Sequence, residues 1–211
     1  MEAVVEDPVT REPELGADGR DVVTRRASSR LGAPAGVAVV VVTGSESTGK
    51  TTLACDLARH YDTTWAPEFA RAYGDQAQAA GRELGASDVE LIARGHIAQA
   101  DNAIARARGL VILDQDLVST VVYARHYYGS CPAWIEQAAL ERLGDLYLLC
   151  DIDVPWVADP HRDRPHMREQ IHQLFETTLQ ALGARYVTIR GTGDERRTVA
   201  ISAIASLISD A

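Results

Sequence analysis

The chain has 211 residues, 46% of them hydrophobic and 24% charged, the make-up of one globular domain with enough length to bury a sizeable core. A formal net charge of −9 argues against nucleic-acid or anionic-membrane binding, either of which needs clustered Lys and Arg. No apolar run approaches the roughly 20 residues that span a bilayer. The acidic, mixed N-terminus does not resemble a secretory signal, so the expected compartment is the cytoplasm.

Residues 1–36 carry Asp, Glu, Arg, Pro and Gly with no apolar period, and read as a flexible tail whose cluster of Arg20, Arg25, Arg26 and Arg30 is solvated. The domain is expected over 37–211. It opens with Val37 to Thr43, a valine-rich run suited to a strand buried on both faces of a parallel sheet. Gly44-Ser45-Glu46-Ser47-Thr48-Gly49-Lys50-Thr51 follows and fits G-x-x-x-x-G-K-[ST] at every fixed position. The two glycines let backbone N–H groups turn inward around a polyphosphate. Lys50 is placed to reach the β- and γ-phosphates, the Thr51 hydroxyl to ligate Mg²⁺, and Thr52 to lie in the first turn of a helix whose N-terminus faces the phosphates. The motif therefore predicts a nucleoside triphosphate and Mg²⁺ as ligands, with ATP the expected nucleotide and GTP left open.

Leu53, Ala54, Leu57 and Ala58 give that helix its buried stripe, and Thr63 to Trp65 reads as a second strand. Pro67 marks a strand-to-helix turn, after which Glu68 and Arg71 are expected on one helix face at the ligand-binding end of the sheet. Ser87-Asp88-Val89-Glu90 has the spacing of a capping box opening a helix to about Arg108. Leu110 to Leu113 is a third strand, ending in Asp114-Gln115-Asp116. An acid at this place behind a phosphate loop orders Mg²⁺, and if the strand continues the two acids point in different directions. One then serves the metal and the other faces the acceptor.

Leu117 to Tyr128 and Ala133 to Leu143 read as helices, the second capped by Gly144, and Leu146 to Cys150 as a fourth strand. The segment Trp156 to Pro165 is polar, Arg-bearing and Pro-punctuated; its composition alone suits an ordinary surface loop, whereas in a P-loop kinase an Arg-bearing flap stabilises the transferring phosphoryl group. A helix through Leu182, a fifth strand at Tyr186 to Ile189, and a last helix burying Val199, Ile201, Ile204, Leu207 and Ile208 complete the chain. Cys55, Cys131 and Cys150 have neither zinc nor disulfide spacing. The alternation predicts an α/β P-loop NTPase fold, a parallel five-stranded sheet flanked by helices with a short lid, like nucleoside and nucleotide kinases.

Five stretches together resemble the ribosylnicotinamide-kinase domain of the NadR family and its stand-alone AAA-type relatives: GSESTGKTTL (44–53), WAPEFAR (65–71), RGH (94–96), LDQDLVST (113–120) and VPWVADPHR (154–162). The chain departs from the family where Pro160 replaces a usual Gly and His161 precedes Arg162. The resemblance implies phosphorylation of the 5′-hydroxyl of nicotinamide riboside to nicotinamide mononucleotide. It implies charge stabilisation by Lys50, Thr51-held Mg²⁺ and Arg162, with Asp114 ordering the metal. Asp116 or Glu68 would orient the acceptor hydroxyl, Asp116 being preferred there and Glu68 at the ribose. Trp156 or Tyr123 would stack on the cationic ring, Arg71 would contact substrate, and Asp159 would complement the ring's charge or anchor Arg162.

The competing readings are a P-loop kinase for another nucleoside or small alcohol, and a nucleotide-binding regulatory ATPase or GTPase acting through partners. The N-K-x-D guanine signature and a D-x-x-G after the third strand are both absent. A homo-oligomer is compatible with the sequence.

Overall fold

The computed structural model describes residues 36–156 and 167–210. The expected tail, apart from Gly36, and most of the flap lie outside the described residues. Five strands form one parallel sheet in the order β2-β3-β1-β4-β5. They are β1 (Ala38–Thr43), β2 (Thr64–Ala66), β3 (Leu110–Asp114), β4 (Leu146–Cys150) and β5 (Tyr186–Ile189). The helices are α1 (Lys50–His60), α2 (Phe69–Ala79), α3 (Val89–Arg106), α4 (Leu117–Tyr128), α5 (Ala133–Glu141), α6 (Arg168–Ala181) and α7 (Gly193–Ser209).

The valine run of β1 explains the two-layered core. Successive side chains point to opposite faces. Val39 and Val41 therefore meet Ile104 of α3, Val118 and Val122 of α4, and Phe175 and Leu179 of α6. Val40 and Val42 meet Leu53 and Leu57 of α1 and Ile204 of α7. Each such fully buried aliphatic contributes about 1.5–3 kcal/mol. A third cluster, built on Val89, Leu117, Val121 and Ile135, holds α3, α4 and α5 together beyond the sheet. Among the described residues no helix is long and apolar enough to cross a membrane.

The strand order places the functional end. β1 is central, with β3 on one side and β4 on the other. Chains leaving β1 and β3 thus diverge at the C-terminal edge, the crevice where open α/β sheets bind ligands. Register sets the heights: Val42 pairs with Asp114 and Thr43 with Leu149, so the loop after β1 rises beside the Asp114 carboxylate.

Four local expectations are corrected. The Ser87 capping box does not form. Ala86–Asp88 is a 3₁₀ turn, and Asp88 accepts from the Gly85 N–H (2.8 Å), the Tyr73 hydroxyl (2.7 Å) and Arg82 (2.7 Å). The Gly85 N–H above all, then the Tyr73 hydroxyl and the Arg82 guanidinium, hold the Asp88 carboxyl below its ordinary value. Gly144 does not cap α5, which ends at Glu141 with Arg142 as its C-cap. The glycine is required by close packing, because a Cβ there would stand 2.7 Å from Val41 Cγ2. Glu68 is not within the helix that carries Arg71; it precedes α2 as the N-cap residue, although both line one cavity. Ile208 is exposed rather than buried, since α7 turns its stripe of Ala200 and Ile204 to the sheet.

Candidate functional site

The loop between β1 and α1 owes its shape to three backbone positions. Gly44 (φ 132°) runs so close to β4 that a Cβ would stand 2.7 Å from the Cys150 carbonyl oxygen. Ser47 (φ 54°) and Gly49 (φ 77°) are left-handed, which turns successive N–H groups toward a common point. The Thr48 hydroxyl and Lys50 Nζ both donate to the Ser45 carbonyl at 2.8 Å, and Lys50 is buried. The buried Ser45 Oγ has no hydrogen-bond partner among the described residues, and a phosphate oxygen would satisfy it. From the first turn of α1, Thr51 Oγ1 donates to Asp114 Oδ2 at 2.6 Å. A hydroxyl beside a carboxylate is the hard-oxygen donor set that Mg²⁺ takes, so these residues fit that ion.

Two arginines absent from the sequence expectations grip the outer side of the loop. Arg196 of α7 is buried. It donates to the carbonyls of Thr48, Gly191 (2.7 Å) and Asp151 (2.9 Å) and pairs with Asp153. Arg168 of α6 donates to the carbonyls of Ser47 (3.0 Å) and Val154 (2.7 Å). Its guanidinium carbon lies 6.0 Å from the centroid of the Trp156 ring. Trp156 is thus a neighbour of Arg168 at the base of the flap. Arg162 and Asp159 lie outside the described residues.

A cavity of about 600 Å³ opens from Lys50 between α2, α3 and α4, and Glu46, Glu68, Arg71, His96 and Tyr123 line it. Tyr123 and Tyr127, one turn apart on α4, stack at 6.1 Å with planes 11° apart, and the Tyr127 hydroxyl donates to Glu46 at 3.3 Å. Asp116 does not line this cavity. Gln115 is left-handed (φ 73°), so the strand stops at Asp114 and the simple alternation expected for the two acids does not apply. Asp116 instead caps α4, its Oδ1 accepting from the Val118 N–H (2.9 Å) and its Oδ2 from the Tyr147 hydroxyl (2.6 Å). Burial pushes its pKa up to about 6.

The AAA domain family matches residues 39–196 of the chain, the span from β1 through Arg196. The chain belongs to the AAA domain family. This AAA domain is 34% identical over 152 residues to the trifunctional NAD biosynthesis/regulator protein NadR of Escherichia coli (strain K12). That match takes in 66% of this chain and 36% of the relative. With the NadR of Salmonella typhimurium it is again 34% identical, over 58% of this chain and 30% of that protein. The chain thus spans about a third of the length of the curated relatives it matches. Among solved structures it superposes with a TM-score of 0.70 and 26% identity on a NadR protein in complex with NR, over 82% of this chain and 52% of that one. A NadR complex with NAD and AMP-PNP aligns equally well, over 50% of that chain. A thymidylate kinase from Ehrlichia chaffeensis shares the fold (TM-score 0.61, 16% identity), aligning over 82% of this chain and 99% of its own length.

The RGH stretch of this AAA domain divides in its duties. Arg94 is exposed and stacks on Trp134 (4.8 Å) away from the cleft. Gly95 is required because a Cβ would overlap the Phe69 ring. His96 reaches the cleft wall. The signal for Arg168 was its place just after the Pro-rich flap; for Arg196 the sequence held none.

Proposed function

We propose that this domain is an ATP-dependent kinase that transfers the γ-phosphoryl group of ATP to the 5′-hydroxyl of nicotinamide riboside, giving nicotinamide mononucleotide in the cytoplasm. The observation that carries this reading is the continuity of one cavity from the phosphate-loop lysine to a wall of carboxylates and tyrosines. Such a cleft suits a small hydroxylated acceptor: Glu46 and Glu68 stand in its wall with Arg71 and can accept from hydroxyls, and Tyr123 offers a flat π face to a cationic ring. The likeness to NadR proteins, one holding NR and another NAD and AMP-PNP, supports the same substrates.

Phosphoryl transfer requires alignment and charge neutralisation more than covalent chemistry. Residues 44–52 would hold the triphosphate, with Lys50 at the β- and γ-phosphates. Thr51 and Asp114 would hold Mg²⁺, which when bound neutralises charge on the phosphate oxygens. Glu68 is the better candidate to orient the acceptor hydroxyl, because it lines the cavity and Asp116 does not. Asp116 then acts by fixing the start of α4. Arg71 contacts the acceptor from the first turn of α2. Arg162 is assigned to the transferring phosphoryl group, and Asp159 anchors it or complements the ring's charge. Trp156 orders the base of the flap through Arg168, and is the alternative stacking partner for the ring.

The test is ADP release from Mg-ATP with a panel of nucleosides, together with the mass of the product. Release dependent on nicotinamide riboside, with a product one phosphoryl group heavier, is expected. Release indifferent to every acceptor refutes the kinase reading, and dependence on a different nucleoside refutes the acceptor.

A further inference from the structure

Helix α2 is capped from outside itself. Its N-cap residue, Glu68, makes no side-chain cap bond. An ordinary N-cap side chain accepts from the N–H of the second or third helical residue. Here the N–H of the second residue, Ala70, donates instead to His96 Nε2 of α3 at 3.4 Å. That contact dictates the tautomer. With Nε2 accepting, Nδ1 carries the hydrogen, and it faces Thr120 Oγ1 of α4 at 3.1 Å. The ring is buried, and burial lowers its pKa to about 4, so it stays neutral and keeps its lone pair at working pH. Phe69 meets the imidazole edge-on (centroids 6.2 Å apart, 79° between planes) while pressing on Gly95. Three helices thereby converge on one imidazole, which lines the cavity together with Glu68.

We infer that His96 is a positioning residue for the acceptor: its neutral imidazole takes over the capping of α2, so that the Glu68 side chain, which occupies the N-cap position, is directed to the cleft rather than to its own helix. This rests on the reading of Glu68 as the carboxylate that orients the acceptor. Without a hydrogen-bond acceptor at the position of Nε2, the Ala70 N–H is left to the nearest carboxylate, and Glu68 folds back over the first turn. The phosphate loop stands on β1 and α1, elements that His96 does not hold, so ATP binding is untouched.

Three variants separate the possibilities. His96→Gln places an amide oxygen near the position of Nε2. His96→Leu offers no acceptor, and His96→Asn is too short to reach Ala70 but keeps a partner for Thr120. KM and kcat are measured for nicotinamide riboside at saturating ATP, and for ATP at saturating riboside. The expected result for His96→Leu and His96→Asn is a riboside KM raised about tenfold, the worth of one hydrogen bond. The KM for ATP stays within about twofold, and His96→Gln restores the riboside KM to within about threefold of the parent. Should His96→Leu not fold, His96→Asn decides by the same criterion. A riboside KM unmoved in His96→Asn overturns the inference, as does an equal loss in His96→Gln or a parallel rise in the KM for ATP. Glu68→Gln is measured alongside. If it loses kcat/KM while the His96 variants do not, only the role of His96 falls. If it retains full activity, the assignment of Glu68 falls with it.

Discussion

Thr51 and Asp114, 63 positions apart in the chain, are joined by a 2.6 Å hydrogen bond from hydroxyl to carboxylate. The bond ties the first turn of α1 to the last residue of β3, and the β1–β3 register that pairs Val42 with Asp114 makes it possible. The two oxygens form a donor set suited to Mg²⁺. Asp114→Asn keeps the shape but removes the negative charge and replaces one oxygen by an amide donor. Its turnover should fall by about 10²-fold, with a raised Mg²⁺ requirement. Thr51→Val should behave likewise, whereas Thr51→Ser, which keeps the hydroxyl, should retain most activity. A magnesium titration of the three variants checks this, and an unchanged requirement in Asp114→Asn removes Asp114 from the metal site.

Lys50 Nζ donates to the Ser45 carbonyl, but so does the Thr48 hydroxyl. The loop therefore keeps one of two ties when the lysine is removed. Lys50→Met preserves the aliphatic stem in its buried position. Its kcat/KM should drop by about 10³-fold, with little change in thermal stability, because the lost amine acts on phosphate oxygens rather than on the fold. Turnover in Lys50→Met comparable to the parent would refute the phosphate-loop role.

Asp116 makes a pH-dependent contribution whose sign follows from burial. Its pKa is pushed up from 3.8 to about 6. The folded state thus binds this proton more tightly than the unfolded state, and the contribution favours folding at low pH and declines as pH rises from about 4 to about 6. Asp116→Asn removes that decline. The difference in stability, variant minus parent, should grow in the variant's favour across this window by something on the order of 2 kcal/mol. At about 2–4 °C per kcal/mol for a chain of this size, melting curves at several pH values resolve it. A constant difference shows the carboxyl to be unperturbed. Glu68→Gln should cost more activity than Asp116→Asn, as expected if the residue lining the cavity orients the acceptor.

Much of this arrangement is legible in the chain because it is local. Valine after valine gives β1, and the phosphate loop follows it in a fixed pattern whose side chains act within eight residues of one another. Asp114 is legible because an acid closes an apolar run. Asp116 is misleading for a physical reason: a left-handed Gln115 breaks the alternation on which a reading of the acids depends. Gly95 and His96 look like any helix residues until Phe69 and Ala70 are brought against them from 26 positions away. Periodicity reports which face of an element is buried. It does not report which distant backbone group a buried polar side chain will meet.

Arg196 is the clearest instance, reaching Thr48 across 148 positions. Its guanidinium joins the phosphate loop, the Gly191 turn before α7 and the segment after β4 that carries Asp151 and Asp153. Four acceptors in three directions need a planar fork, and an ammonium on a flexible stem cannot meet them at once. Arg196→Lys should therefore lose two or more buried hydrogen bonds, each worth about 1 kcal/mol and more where the abandoned carbonyl stays dry. Melting should fall by several degrees, and the KM for ATP should rise about tenfold as the loop loses its outer support, while the KM for the acceptor moves little. Steady-state kinetics with each substrate varied in turn, beside a thermal melt, give the answer. A destabilised Arg196→Lys with an unaltered KM for ATP would make the clamp a feature of the fold alone.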